Sequence, residues 1–137
     1  MDGALDTRHE IYSQFLRLRG EENVTTLQAA DNYADTLVKL KRFEEAKSMM
    51  RKMVPIARRV LGDRHTTTLR LRWIYAKALY KHGTAEPRDL REALETVEET
   101  APTARRVLGG AHPYVVSMEG SLLTMRATLR ARESGAP

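Results

Sequence analysis

Apolar residues recur along this chain at the three- and four-residue spacing of one helix face. Leu27, Ala30, Ala34 and Leu37 form such a stripe, which predicts a helix over about 24–40. The same spacing predicts further helices over about 2–19, 43–61, 65–82, 89–108 and 113–130. The chain is therefore expected to be all-α, with about six helices.

Parts of this pattern return in phase. The hexapeptide ARRVLG at 57–62 recurs 47 residues later at 104–109, and the Thr-Leu pair at 26–27 recurs 42 residues later at 68–69. Five extra residues, TAEPR at 84–88, account for the longer offset and predict a projecting loop. Repeats of this length are typical of a stacked helical array rather than of one closed globule.

Two kinds of residue mark equivalent places in the repeat. Pro55 and Pro102 fall inside predicted helices, where a missing backbone N–H and a clash with the preceding turn predict a bend. His65 and His112 each stand just before a predicted helix, and we expect them to cap it.

These residues resemble the tetratricopeptide repeat, and the 42-residue spacing, the Arg-Arg-Val-Leu-Gly ending and the His-Pro opening resemble its kinesin light chain type. The motifs are Tyr-Ala at 33–34 and 75–76, Phe-Glu-Glu-Ala at 43–46 and Leu-Arg-Glu-Ala at 90–93. The resemblance covers roughly 24–123. The chain departs from the family at Lys41, where glycine is usual, and keeps only Asn32 of the paired asparagines of the first helix.

The resemblance implies an α-solenoid of antiparallel helix pairs that winds into a right-handed superhelix. One domain over 1–137 would comprise a half-repeat helix at 2–20, repeats at 23–62 and 65–109, and a terminal half-repeat helix at 112–132. The first helix of each pair would line a concave groove that binds an extended or helical peptide. The implied function is a protein–protein interaction scaffold.

The resemblance also places the groove-lining residues, counted from the small-residue position at Ala34, Ala76 and Leu123. The partner-binding groove is expected to contain Gln28, Asp31, Asn32, Asp35, Lys39, Arg70, Trp73, Lys77 and Lys81, with Ser117, Gly120 and Thr124 in the last helix. Two interpretations of Trp73 stay open: a core residue, or an exposed anchor for a partner side chain.

Charge and composition refine this picture. The chain has 137 residues, of which 42% are hydrophobic, so it can bury the core of one domain or short solenoid. Its net charge of +5 favours an acidic or mixed-charge partner, and basic doublets such as Arg58-Arg59 leave a basic RNA-binding repeat as a lesser alternative. No apolar run could span a bilayer and no signal peptide pattern is visible, so no membrane partner and a cytoplasmic location are expected.

No set of residues predicts catalysis or metal binding. The four histidines, at 9, 65, 82 and 112, are too far apart to share one helix face, and there is no cysteine. Neither a glycine-rich phosphate loop nor a serine nucleophile motif occurs. We therefore expect no catalytic residues, no metal, no cofactor and no enzymatic activity.

The predicted helix order begins with the second half of one repeat unit and ends with the first half of another. Terminal units of a solenoid need a polar outer face, so apolar residues there predict self-association as an alternative function, through a homo-oligomer. The residues expected at these ends are Ile11, Phe15, Val116, Leu122 and Leu129. Whether the chain is a whole protein or a piece of a longer array stays open.

Overall fold

The structure, a computed structural model, describes residues 2–81, 83 and 85–135, and every regular element in these ranges is an α-helix. The helices are α1 (Asp2–Arg19), α2 (Val24–Lys39), α3 (Phe43–Leu61), α4 (Thr66–Tyr80), α5 (Pro87–Leu108) and α6 (Pro113–Glu133). The predicted all-α class with six helices is confirmed.

The helices form two layers. Each helix packs against the next one along the chain, and in addition α2 contacts α4 and α4 contacts α6. Among the described residues these are the contacts between alternate helices, so α2, α4 and α6 form one layer and α1, α3 and α5 the other. This arrangement is an α-solenoid of helix pairs, as the sequence predicted.

Small and flexible apolar residues build the buried face of α3, where Ala46, Met50, Met53 and Ala57 are all 0% exposed. The equivalent residues of α5, 47 positions later, are Ala93, Val97, Thr100 and Ala104, and they are buried too. Alanines at these positions let the helices approach closely, while methionine fills irregular gaps. The repeat seen in the sequence is therefore a repeat of packing positions.

A hydrogen bond recurs at the junctions between the layers. Thr26 Oγ1 donates to the carbonyl of Phe15 at 3.2 Å, and Thr68 Oγ1 donates to the carbonyl of Ala57 at 3.3 Å, 42 residues later in both partners. Val115 stands at the third such position and has no hydroxyl. Helix α1 thus packs on α2 in the way that α3 packs on α4.

We call α2, α4 and α6 the inner layer and α1, α3 and α5 the outer layer. The three helices of the inner layer begin with the same kind of cap. The acceptors Asn23 Oδ1, His65 Nδ1 and His112 Nδ1 receive the backbone N–H of Thr25, Thr67 and Tyr114 at 2.9, 3.0 and 3.1 Å. Each bond satisfies one of the N–H groups that a helix start leaves without a partner. The prediction that the two histidines cap their helices is confirmed.

Replacing His65 with alanine is expected to lower the free energy of unfolding by about 1 kcal/mol, because the cap is lost. His65→Asn should have almost no effect, since Asn23 makes the same bond one repeat earlier. Urea unfolding followed by circular dichroism measures both variants. Equal losses in the two would contradict a capping role.

Helix α2 ends in a turn that glycine usually forms. Lys41 has a φ of 63°, its N–H donates to the carbonyl of Val38 at 2.9 Å, and the Arg42 N–H donates to the carbonyl of Leu37 at 2.8 Å. This pair of bonds is the Schellman motif, whose penultimate residue adopts the left-handed conformation. The lysine therefore keeps the geometry of a glycine turn in spite of its side chain.

Lys41→Gly is expected to stabilise the protein by about 1 kcal/mol, because a residue with a Cβ atom pays that order of cost in the left-handed region. Gly62→Ala is the matched reverse change, since Gly62 has a φ of 88°, and it should destabilise. Thermal unfolding of the two variants tests the pair. A lower melting temperature for Lys41→Gly would contradict the strain argument.

The prediction of a projecting loop at 84–88 is wrong in its second half. Pro87 begins α5, at the helix position that tolerates proline best, and Ala85 is 1% exposed against Leu129 of α6. The Arg132 guanidinium also donates to the carbonyl of Ala85. Thr84 lies outside the described residues. The connection is therefore anchored by α6, a helix that the local sequence pattern does not include.

Candidate partner-binding groove

A small pocket of about 40 Å³ lies where α2, α4 and α6 meet, and it opens to solvent. Its lining residues are Asp31 and Asp35 of α2, Arg70, Trp73, Ile74 and Lys77 of α4, and Tyr114 of α6. Five of these seven are among the residues predicted for the groove. The pocket thus joins side chains that lie 83 positions apart in sequence, from 31 to 114.

Charged pairs connect α2 to α4 across this pocket. Arg70 Nε lies 2.7 Å from Asp31 Oδ2, and the Arg70 guanidinium carbon lies 5.3 Å from the ring centroid of Tyr114. Lys77 Nζ lies 3.5 Å from Asp35 Oδ1, and Lys39 Nζ lies 2.9 Å from Asp35 Oδ2. Acidic residues on one helix therefore face basic residues on the next.

Asp31 is the most deeply buried charged group of the pocket, with a side chain 3% exposed. Burial raises its pKa to about 6, the charge of Asp35 raises it too, and Arg70 and Lys77 oppose the shift. Its Oδ1 atom is buried and accepts no hydrogen bond from any part of the chain that the structure describes. An acceptor in this state calls for a donor from outside the chain.

The neighbouring pair behaves differently. Burial works to raise the pKa of Asp35, but hydrogen bonds and charges from Lys39 and Lys77 outweigh it and lower the pKa below its usual value. Burial also lowers the pKa of the Lys77 amine, against the opposing effect of Asp35. Asp35 is thus a stable anion, whereas Asp31, four residues earlier, carries its charge at a cost.

The structure favours the core interpretation of Trp73. Its side chain belongs to the hydrophobic core and is 5% exposed. The Lys77 amine lies 5.4 Å from the ring centroid, and the Tyr80 ring lies 6.3 Å away. Trp73 therefore forms the floor of the pocket, with little surface left for a partner to contact.

The other predicted groove residues lie outside this pocket. Three of them, Ser117, Gly120 and Thr124, are exposed on α6, and four lie on α2 or at the C-cap of α4. Gln28, Asn32, Lys39 and Lys81 are all exposed. Lys39 is paired with Asp35, and the Lys81 amine lies 5.9 Å from the ring centroid of Tyr80. These four residues are on the inner-layer helices or, in the case of Lys81, at the C-cap of α4. These four residues, called the rim below, carry polar or charged side chains that are exposed to solvent.

Sequence reasoning missed Tyr114 and Ile74. Tyr114 occupies the repeat position that holds Thr25 and Thr67 in the earlier units, so it breaks the pattern by placing an aromatic ring where threonine stands elsewhere. That departure is the signal that could have identified it. Ile74 is 3% exposed and gives no such signal, because an apolar residue there is typical of a helix core.

The ranges that the structure describes contain neither a group of metal-ligating side chains nor a helix that could cross a membrane. Within them, histidine and carboxylate side chains do not gather in threes that could hold a metal ion. The described helices are also too polar or too short to cross a membrane. His82, one of the histidines considered above, lies outside the described residues.

The basic doublets on the outer helices lie beside carboxylates. The pairs are Arg51–Glu92 at 3.6 Å, Lys52–Glu21 at 3.4 Å, Arg58–Asp63 at 2.7 Å, Arg59–Glu22 at 3.3 Å and Arg105–Glu119 at 2.8 Å. Such exposed pairs add little stability, but they dilute the positive potential. This surface is consequently not an uninterrupted basic stripe.

The residues expected to lie exposed at the ends divide into two groups. Ile11 and Val116 are 42% and 56% exposed. Phe15 and Leu122 are half-buried, and Leu129 is 8% exposed in a cluster with residues of α5. The expectation that Leu129 lies at an open end is wrong, because it falls on the side of α6 that packs against α5.

Two further apolar residues are exposed on the outermost helices, α1 and α6. Leu18 of α1 is 80% exposed and Leu123 of α6 is 75% exposed. Leu123 stands at the repeat position of Ala34 and Ala76, which are both 0% exposed. The interior Gly120, one turn before Leu123, has no atom within 4 Å of the place where a Cβ would stand. The outer face of α6 is therefore apolar, flat and open.

Part of the chain matches a known family. Residues 26–67 match the family model described as Tetratricopeptide repeat. The matched segment covers all but the first two residues of α2, the whole of α3 and the first two residues of α4. A search of curated proteins returned no match.

Proposed function

We propose, on the premise that residues 26–67 form a tetratricopeptide repeat, that this protein binds a partner protein or peptide along the inner face of α2, α4 and α6. Tetratricopeptide repeats generally mediate protein–protein interaction and act as non-enzymatic scaffolds. The kinesin light chain type of repeat and a cytoplasmic location are parts of this proposal.

The observation that carries the proposal is the free oxygen of Asp31. A buried acceptor without a donor costs about 1–3 kcal/mol, and a fold that retains one beside an open pocket is a candidate binding site. An N–H or O–H group of a partner would satisfy Oδ1. Because Arg70 and Lys77 already stand beside the two aspartates, a neutral donor such as an amide fits better than a third cation.

The rim determines which partners suit the rest of the groove. Lys39 and Lys81 are exposed, each four residues after a pocket residue, and the chain carries a net charge of +5. Carboxylates of an acidic or mixed-charge peptide could pair with these amines while its amide groups reach Asp31. Rim charges mainly set the association rate and the salt dependence of binding.

The test is a screen of synthetic peptides of varied charge against the full chain, followed by titration calorimetry of the best binder. Lys39→Glu/Lys81→Glu should weaken an acidic binder by roughly tenfold or more, as expected when two attractive rim charges become repulsive. Lys52→Glu is the matched control, since this lysine lies on the outer layer. An equal loss in the control, or no binder at all, would contradict the proposal.

The RNA-binding alternative is tested in the same assay. A labelled single-stranded RNA should bind weakly, because the basic doublets are interleaved with carboxylates. RNA binding that is tighter than any peptide and falls steeply with salt would favour this alternative over the groove.

A further inference from the structure

Two repeat positions that are covered inside the solenoid are open on its outermost helices. Met53 of α3 is 0% exposed, but Ile11 of α1, at the same position 42 residues earlier, is 42% exposed. Ala76 of α4 is 0% exposed, whereas Leu123 of α6, 47 residues later, is 75% exposed. The outermost helices thus keep apolar residues at positions that elsewhere contact another helix.

On each helix the open residues form a stripe. Ile11 and Leu18 are seven residues apart on α1, and Val116 and Leu123 are seven apart on α6. Seven residues make two turns, so each pair lies on one face. Gly120 lies between the two residues of α6 and leaves its backbone open to close approach.

The missing neighbours of these two stripes are complementary. Helix α3 is covered by α2 and by α4, but α1 has only the counterpart of α4, namely α2. Helix α4 is covered by α3 and α5, but α6 has only the counterpart of α3, namely α5. Helix α1 therefore lacks a neighbour equivalent to α2, the first helix of a pair. Helix α6 lacks a neighbour equivalent to α5, the second helix of a pair.

We propose that the outer face of α6 in one copy of this protein docks on α1 of a second copy, in the way that α2 packs on α3. The two helices would form a composite repeat from two chains. The interface is heterologous, with different surfaces on the two copies, so it joins copies head to tail into a ring or an open filament.

Charge at one contact of the composite repeat supports a second copy as the occupant. Leu37 and Ser48 line the same cleft between α2 and α3. Their counterparts in the composite repeat are Arg126 of α6 and Asp6 of the second copy's α1. Both are exposed, and Arg126 is bonded to Glu98 at 3.0 Å, so it would lie between two carboxylates. The two positions that share a cleft within the chain would thus carry opposite charges between chains.

The polarity of the two helices agrees with this pairing. The last turn of α6 exposes Arg130, and the first half of α1 exposes Asp6 and Glu10. In an antiparallel pair these two ends lie together. The inner layer would then continue from α6 to α2 of the second copy, which extends the groove across the copies.

Sedimentation velocity of the full chain over a range of concentrations is the first test. The wild-type mass should rise with concentration, and Leu123→Glu should weaken association roughly 30-fold or more, because a charge would be buried in the seam. Val60→Glu is the matched control, since Val60 is 37% exposed on α3. A wild type that stays monomeric at every concentration would overturn the proposal.

Mixing two blocked variants separates this interface from a symmetric one. Leu123→Glu blocks the α6 face and Ile11→Glu blocks the α1 face, so each should be monomeric alone while the mixture forms a 1:1 dimer that cannot grow. A mixture that remains monomeric would overturn the head-to-tail geometry. Thermal unfolding shows whether each variant is folded, and Leu123→Thr with Ile11→Thr repeats the test with milder changes.

The charge contact has its own measurement. Asp6→Ala and Arg126→Ala should each weaken association about 2- to 5-fold, as expected for an exposed ion pair. The double variant should be no weaker than either single one if the two side chains contact each other. Strictly additive losses would overturn this pairing.

Discussion

Asp31→Asn is expected to raise the free energy of unfolding at neutral pH by roughly 2–3 kcal/mol, since each unit of pKa corresponds to about 1.4 kcal/mol. The pKa of Asp31 is about 6 in the folded chain against 3.8 as the reference value for an unfolded chain. The folded state therefore prefers the protonated form, and its advantage is complete below about pH 4 and lost as the pH rises through 6. Asparagine, which never ionises, keeps that advantage at every pH.

Urea unfolding at about pH 4 and about pH 7.5 measures this effect, because the gain from Asp31→Asn should appear only at the higher pH. Asp35→Asn is the control, and the change that we expect in its free energy of unfolding has the opposite sign. The pKa of Asp35 is lowered by Lys39 and Lys77, so its charge stabilises the fold and its loss should destabilise the protein at neutral pH. A gain from Asp31→Asn of equal size at both pH values would show that packing, not charge, is responsible.

Trp73→Ala is expected to lower the free energy of unfolding by about 3–5 kcal/mol, the usual cost of removing a large aromatic side chain from a core. Trp73→Phe should cost much less, because most of the buried area remains. Chemical denaturation measures both.

Val107→Ala is the control, since this valine of α5 is 36% exposed and its truncation should cost much less than that of Trp73. A loss below about 1 kcal/mol for Trp73→Ala would contradict the core interpretation. The size of the expected loss also means that reduced binding by this variant would not identify Trp73 as a partner contact.

The helices could be predicted from the sequence because their cause is local. Apolar spacing, the glycine at 62 and the histidines before α4 and α6 all act within a few residues, and the helix bounds agree closely with the pattern. The layers could be predicted as well, because the in-phase recurrence at 42 and 47 residues requires equivalent helices to pack in equivalent ways.

Coverage of each helix face could not be predicted, because it depends on neighbours. Leu123 and Ala76 have the same repeat position and opposite exposure, and only the absence of a further packed helix among the described residues distinguishes them. The opposite case is Leu129, which is buried because α5 and the segment before it cover that side. Spacing alone treats both leucines alike.

The pocket was predictable in part. Asp31, Asp35, Arg70 and Lys77 share helix faces that the repeat register identifies, so their approach follows from stacking α2 beside α4. The free Oδ1 of Asp31 did not follow, since whether a carboxylate finds a second donor depends on rotamers and on ångström-scale distances.

Among the helices that the structure describes, α4 alone contacts four others, and eleven of its residues are buried. Local opening of a repeat array proceeds from units with few neighbours, so in the monomer amide hydrogens should exchange fastest in α1 and α6 and slowest in α4. The exchange rate should therefore rise from the middle helices of the chain toward the outermost ones. The groove therefore contains both extremes, a slowly exchanging floor at Trp73 and a faster wall at Tyr114, and a ligand that touches both would slow the exchange of α6 more than that of α4.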